Sequence, residues 1–119
     1  MTNRIPESEW VWYGFAGHFI GGKDCAYHLC TRIGGYLIST VGMYYPGLSR
    51  GASPTPIGAG KDAILETYVF RCDGEDSDGN PITGLNEIDS ERYADSMEAE
   101  RGHCRYCEKY ATQGEPTDA

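Results

Sequence analysis

Apolar and polar positions change period along this chain, from a two-residue alternation that lasts as far as Cys72 to a helical repeat near the end. Trp10 to Ile20 is rich in aromatic residues. Trp10, Trp12, Ala16, His18 and Ile20 fall on one parity, and Val11, Tyr13, Phe15 and Phe19 on the other. The segment reads as a strand covered on both faces, and Gly14 and Gly17 mark a bulge or a close backbone approach. Gly21-Gly22-Lys23-Asp24 follows as a turn. Two β-rich runs then flank Gly34-Gly35, and this spacing predicts a hairpin over 26–45 with Ile33 opposite Tyr36. In that register Tyr27, Leu29 and Ile33 share a face with Tyr36 and Ile38. His28, Cys30 and Arg32 share the other with Leu37, Ser39 and Val41.

Residues 46–62 are rich in proline and glycine and poor in large apolar side chains, which predicts a mobile loop. Ile64 to Cys72 resumes the strand alternation, and 73–86 is an acidic loop turning at Asp78-Gly79-Asn80-Pro81. A helix is predicted after Asp89-Ser90, capped by Ser90 and running to about Tyr110. Tyr93, Met97, Cys104, Cys107 and Ala111 form its expected core stripe, with Gly102 as a weak point or kink. Both termini are expected to fray. The expected fold is one α+β domain spanning 1–119: a small antiparallel sheet of about four strands covered by one C-terminal helix.

Length agrees, since 119 residues suit one domain with a limited core. No apolar run approaches the roughly 20 residues a membrane span needs. Met1 to Glu9 lacks the basic-then-apolar order of a secretion signal, so a cytoplasmic location is expected. Five cysteines is an odd number, and reduced thiols are the expectation for that compartment.

Charge is unevenly spread. Of 18 acidic residues, Asp73, Glu75, Asp76, Asp78, Glu87, Asp89, Glu91, Asp95, Glu98 and Glu100 fall in one stretch that Arg92 alone offsets. Such a field repels a phosphate backbone and attracts a basic protein surface, which argues against direct nucleic-acid binding. The plainer reading is a solvated helix and loop that keep the protein soluble.

Candidate chemistry centres on Cys25-x2-His28 and His103-x3-Cys107, two local pairs of the kind that supply four donors to a structural zinc. On a helix His103 and Cys107 lie one turn apart, whereas Cys25 and His28 need a turn to converge. Cys104 is a competing ligand. The alternative is that the thiols are buried and the histidines satisfied by hydrogen bonds. A cysteine nucleophile among Cys30, Cys72 and Cys107 lacks an elbow, an oxyanion motif or an ordered triad, so no enzyme is expected. Gly58-Ala59-Gly60-Lys61 fails as a P-loop, because Thr55 stands at its first glycine and Asp62 follows the lysine. Asp76-Ser77-Asp78-Gly79 fails as an EF-hand, with Gly74 and Leu85 at the first and last ligand positions. Tyr44 and Tyr45 could form a protein-binding edge.

Gly17-His18-Phe19-Ile20, Cys25-Ala26-Tyr27-His28-Leu29-Cys30-Thr31, Tyr36-Leu37-Ile38-Ser39-Thr40-Val41-Gly42 and Glu66-Thr67-Tyr68-Val69-Phe70 resemble a group of small uncharacterised proteins of bacterial viruses and prophages. Arg101-Gly102-His103 and Cys107-Glu108-Lys109 share the resemblance. It implies a viral accessory protein and carries over no activity, ligand or catalytic residue. With the charge pattern it leads to a non-enzymatic protein that binds, and inhibits, a basic bacterial host protein such as a nucleic-acid-handling defence component. Two other readings stay open: a small zinc-binding structural or replication-associated module, and a cysteine-dependent enzyme.

Overall fold

The computed structural model describes residues 4–18, 24–45, 53–57, 62–84 and 86–113. Among these, a 3-10 turn (Glu7–Glu9) precedes strands β1 (Val11–Tyr13), β2 (Cys25–Ile33), β3 (Tyr36–Tyr44), β4 (Leu65–Glu75), β5 (Pro81–Thr83) and β6 (Asp89–Tyr93), and helix α1 (Ser96–Gln113) closes the order. All strand pairs are antiparallel, in the sequence β1-β2-β3-β4. The far side of β4 is shared, β5 pairing with its Cys72–Glu75 end and β6 with Leu65–Val69. The architecture is the expected α+β sheet under one helix, with six strands rather than four because two short strands, β5 and β6, pair with the far side of β4.

The hairpin register is the one that the Gly34-Gly35 spacing predicts, Ile33 opposite Tyr36 and His28 opposite Val41. The left-handed position of the turn is Gly34, at φ 56°. On one face Ile33, Tyr36, Ile38 and Val69 pack against Cys107, Tyr110 and Ala111 of α1. On the other face Cys30, Leu37, Phe70 and Cys72 pack with Tyr13 and Tyr68. Gly17 and His18 lie over this second face, against Ser39, Cys30 and Tyr68, so β3 is buried from Tyr36 to Gly42 on both sides.

Several elements differ from the sequence reading. Within Trp10–Ile20 only Val11–Tyr13 is a strand, and Phe19 and Ile20 lie outside the described residues. A Cβ on Gly17 would stand 2.8 Å from Ser39 Cβ and 2.9 Å from Cys30 Sγ, so the backbone itself presses on the sheet there. The acidic loop begins later than expected, since β4 continues through Asp73-Gly74-Glu75 and β5 pairs back across the turn. Most of the expected loop 46–62, and both termini, lie outside the described residues. Within that stretch Thr55 bridges Tyr44.

The largest difference is at Asp89. Asp89–Tyr93 is a strand, because β4 offers it an open edge and five paired positions. The helix starts at Ser96 and is capped by Asp95, whose Oδ1 accepts from the Glu98 N–H at 2.8 Å. Its buried face is Ala99, Gly102, His103, Cys107, Tyr110 and Ala111; Cys107 and Ala111 belong to the expected stripe, whereas Met97 (64% exposed) and Cys104 point outward and Tyr93 is buried from the strand before the helix. Gly102 does not break the helix, which runs on to Gln113. Its missing side chain makes room for the Tyr93 ring.

His103 is fully buried and joins helix to sheet through a chain of hydroxyls. Tyr93 donates to Thr67 Oγ1 (2.8 Å), Thr67 and Thr40 share a bond of 2.6 Å, Thr40 meets His103 Nδ1 at 2.7 Å, and His103 Nε2 meets Thr31 Oγ1 at 2.8 Å. The direction follows from its start. Thr67 accepts from Tyr93, so its own proton goes to Thr40, whose proton goes to Nδ1. His103 therefore carries its hydrogen on Nε2 and donates to Thr31, which is also bonded to the Cys107 thiol. Each threonine, like the imidazole, then both donates and accepts, with the ring neutral.

Two outcomes follow from this packing. Gly102→Ala should lower stability in urea denaturation by about 1–3 kcal/mol, because overpacking against Tyr93 outweighs the roughly 1 kcal/mol helix-propensity gain. A neutral or stabilising result would contradict the packing. Burial holds His103 well below the usual histidine range, at about 4. The unfolded chain takes up a proton near pH 6.5 that the fold resists until about pH 4. Stability should thus fall as pH drops through that window, by up to about 1.4 kcal/mol per pH unit for this ring, and be free of its influence above it. Denaturation curves at pH 7, 6 and 5 measure this slope together with that of His18, which burial lowers to the same range.

Candidate functional site

The structure separates the four expected zinc donors. Cys25 is buried at the start of β2 and pairs with Tyr44, while His28 is exposed, its Nε2 3.3 Å from the Gly14 carbonyl oxygen. Three positions apart on a strand, the two project to opposite faces. His103 and Cys107 come together under α1, both bonded to Thr31. Thr31 shares its face with Cys25, so the sheet stands between His28 and the His103–Cys107 pair. Among the described residues no three His, Cys, Asp or Glu side chains gather at metal-binding spacing.

All five cysteines are free thiols, and Cys104 alone is exposed. Burial pushes the Cys30 and Cys107 thiols up to about 12, and Cys104 is raised by partial burial and by Glu100. These three are therefore neutral thiols near pH 7, the opposite of what a cysteine nucleophile needs. Cys72 Sγ donates to the Gly74 carbonyl (3.3 Å).

The acidic stretch is divided into groups. Asp73, Glu75, Asp76 and Asp78 lie at the β4–β5 end of the sheet, where Glu75 binds Arg32 and Tyr13, and Asp76 Oδ1 accepts from the Asp78 and Asn80 N–H groups. Asp89 and Glu91 face α1. Asp89 holds Lys109 (2.6 Å) and Tyr110 (2.9 Å), and Glu91 pairs with Arg105. Asp95, Glu98 and Glu100 stand at the start of the helix, beyond the Leu65–Tyr93 pair. Leu65 and Asp73 are separated by roughly 25 Å of extended strand, so the outer groups occupy opposite ends of β4. Asp73, Asp78, Glu87, Glu98 and Glu100 are exposed and in no ion pair among the described residues.

A polar constellation that sequence reasoning missed lies on the face away from the helix. His18, delivered onto the sheet by Gly17, shares a 2.8 Å hydrogen bond with Ser39 Oγ through Nδ1 and stacks on Tyr68 at 4.6 Å. Its Nε2 is 3.8 Å from Glu66 Oε1, and Arg92 Nε is 3.7 Å from Glu66 Oε2. His18 Nε2 and Glu66 Oε2 have no hydrogen-bond partner among the described residues, although each is buried. An orphaned buried polar group costs about 1–3 kcal/mol. Burial raises the Glu66 carboxyl, with Arg92 opposing it, and lowers His18 to about 4. Ser39 is fully buried in a central strand and is therefore not an exposed nucleophile. His18 also lines a cavity of about 350 Å³ with Phe15, Leu37 and Thr83. The hairpin register placed Ser39 on this face. No short turn fixes β4, so Glu66 could not be placed opposite Val41 before the fold was known.

No protein-family model matches the chain, and no curated protein or solved structure is significantly similar to it. No helix among the described residues is long and apolar enough to cross a membrane.

Thiol exposure gives a direct check. Ellman's reagent should modify one thiol of the native protein quickly, and Cys104→Ser should remove that phase. Rapid reaction of Cys30 or Cys107 would contradict their burial.

Proposed function

We propose that this chain is a non-enzymatic accessory protein that binds a partner with a basic surface. What carries the reading is the set of exposed carboxylates outside any described ion pair, Asp73, Asp78, Glu87, Glu98 and Glu100, on a chain of net charge -8. Charge of this kind acts over a distance, raising the encounter rate with a basic surface and disfavouring nucleic acid, and needs no pocket. Raised thiol pKa values and a buried Ser39 count against nucleophilic catalysis. The resemblance to viral accessory proteins suggests a bacterial host protein as the partner, a nucleic-acid-handling defence component being one that carries the complementary charge.

The helix start is the best place to test this. Glu98 and Glu100 are exposed beside Met97, whereas Glu91 holds Arg105 and Asp95 caps the helix, so reversing the latter two would weaken the fold itself. Affinity capture from a bacterial lysate with the parent and with Glu98→Lys/Glu100→Lys should show a basic protein retained by the first and at least several-fold depleted in the second. Retention should fall steeply as salt rises. Equal retention by the variant, or tight DNA binding by the purified parent, would overturn the reading.

A further inference from the structure

The cavity between the Phe15–His18 segment and the β4–β5 turn is a feature that neither the fold nor the acidic surface explains. It measures about 350 Å³ and lies over Leu37, on the sheet face away from the helix. Ligand sites span roughly 300–1,000 Å³, so this one has room for a single side chain rather than a cofactor. Its wall is apolar at Phe15, Leu37 and Pro81 and polar at Asp76, Asn80 and Thr83. No lysine or arginine is among the described residues that line it, and His18 adds no positive charge near pH 7 because burial lowers it to about 4. The carboxylate is held in place. Asp76 Oδ1 accepts from the Asp78 and Asn80 N–H groups at 2.9 and 3.0 Å, and the Asp76 and Gly79 N–H groups, donating to the Asn80 and Asp76 carbonyls, close the same turn. Oδ2 makes no hydrogen bond among the described residues. Across the cavity Phe15 is 40% exposed, with Tyr13 bracing its ring at 5.2 Å.

We propose, resting on the basic-partner reading above, that this cavity receives an arginine side chain of the partner, its guanidinium meeting Asp76 and its stem lying against Phe15 and Pro81. A carboxylate beside an aromatic face is the surround that a cation on an apolar stem requires. An anionic ligand would instead meet Asp76 and the exposed Asp78 next to it. Arginine fits better than lysine. Guanidinium is planar and more weakly hydrated than ammonium, so it stacks on an aromatic ring and enters a half-apolar slot at a smaller desolvation cost. Its fork also presents several donors at once, which suits a slot bordered by both Asp76 and Asn80. The scattered surface carboxylates raise the encounter rate, but they do not fix how the partner sits. A side chain seated in a pocket does.

The test titrates the full ¹⁵N-labelled chain with acetyl-glycyl-arginyl-glycinamide, and with the matching lysine and citrulline peptides, citrulline keeping the shape of arginine without its charge. This comparison needs no variant of the protein to fold. The arginine peptide should shift the Phe15, Ala16, Asn80 and Thr83 amides and saturate in the millimolar range, the lysine peptide should bind at least twofold more weakly and the citrulline peptide at least fivefold more weakly. Asp76→Asn, which keeps the acceptor that holds the turn, and Phe15→Ala should each weaken binding at least threefold, whereas Glu98→Lys/Glu100→Lys should leave it unchanged. Shifts spread evenly over the surface carboxylates, equal binding of the citrulline peptide, or no saturating shift at those four amides would each overturn the slot. Lysate capture separates the two readings. Failure of capture while the arginine peptide still binds would overturn the partner reading alone, and capture undiminished by Asp76→Asn and Phe15→Ala would overturn the slot alone.

Discussion

The fold depends on keeping one imidazole neutral and dry. His103 projects from the only helix among the described residues into the middle of the sheet, and Thr31, Thr40 and Thr67 of three adjacent strands, with Tyr93 of β6, satisfy it. Register makes this possible, because Thr31 lies opposite Ile38, Thr40 opposite both Leu29 and Thr67, and Thr67 opposite Glu91. A slip of one residue would turn those hydroxyls to the far face and leave the ring with no partner. Gly102 belongs to the same arrangement, since the Tyr93 ring that starts the hydroxyl chain fills the space beside it. The network adds specificity to an apolar contact that would tolerate other registers.

Around this seam the charged residues act as straps. Asp89 and Glu91 hold Lys109 and Arg105, and at the other end Arg4 reaches Glu108 at 2.6 Å while the Ile5 N–H donates to the Ala111 carbonyl. These surface pairs each contribute little in water. Their effect is to consume part of the acidic stretch inside the molecule, so the charge left for a partner is smaller than composition suggests and lies at separated places. Binding through long-range charge fits such a surface better than a single tight patch does.

Legibility followed the range of the physics. The β2–β3 hairpin was readable down to its pairs because a two-residue turn and a period-two pattern are both local. Strand β6 was not. Asp-Ser-Glu-Arg-Tyr carries helix-start residues, and what makes it a strand is the open edge of β4, a non-local fact. The helix stripe was misread for a related reason. Helical spacing alone puts Met97 and Cys104 on the buried face, whereas Thr31 and Thr40 hydroxyls from distant strands let His103 sit there instead. The His18–Glu66 pair depends on two segments whose approach no local spacing encodes, and the Gly17 that brings them together was its only trace.

The most direct test of this account is the protonation state of His103 in the native protein at pH 7, read from long-range ¹⁵N–¹H correlations of the imidazole. The hydroxyl chain predicts a neutral ring in a single tautomer, hydrogen on Nε2 and a hydrogen-bonded acceptor at Nδ1, with no fast exchange between tautomers. A charged ring, an averaged pair of tautomers, or a ring whose shifts change when chelator is added would contradict it.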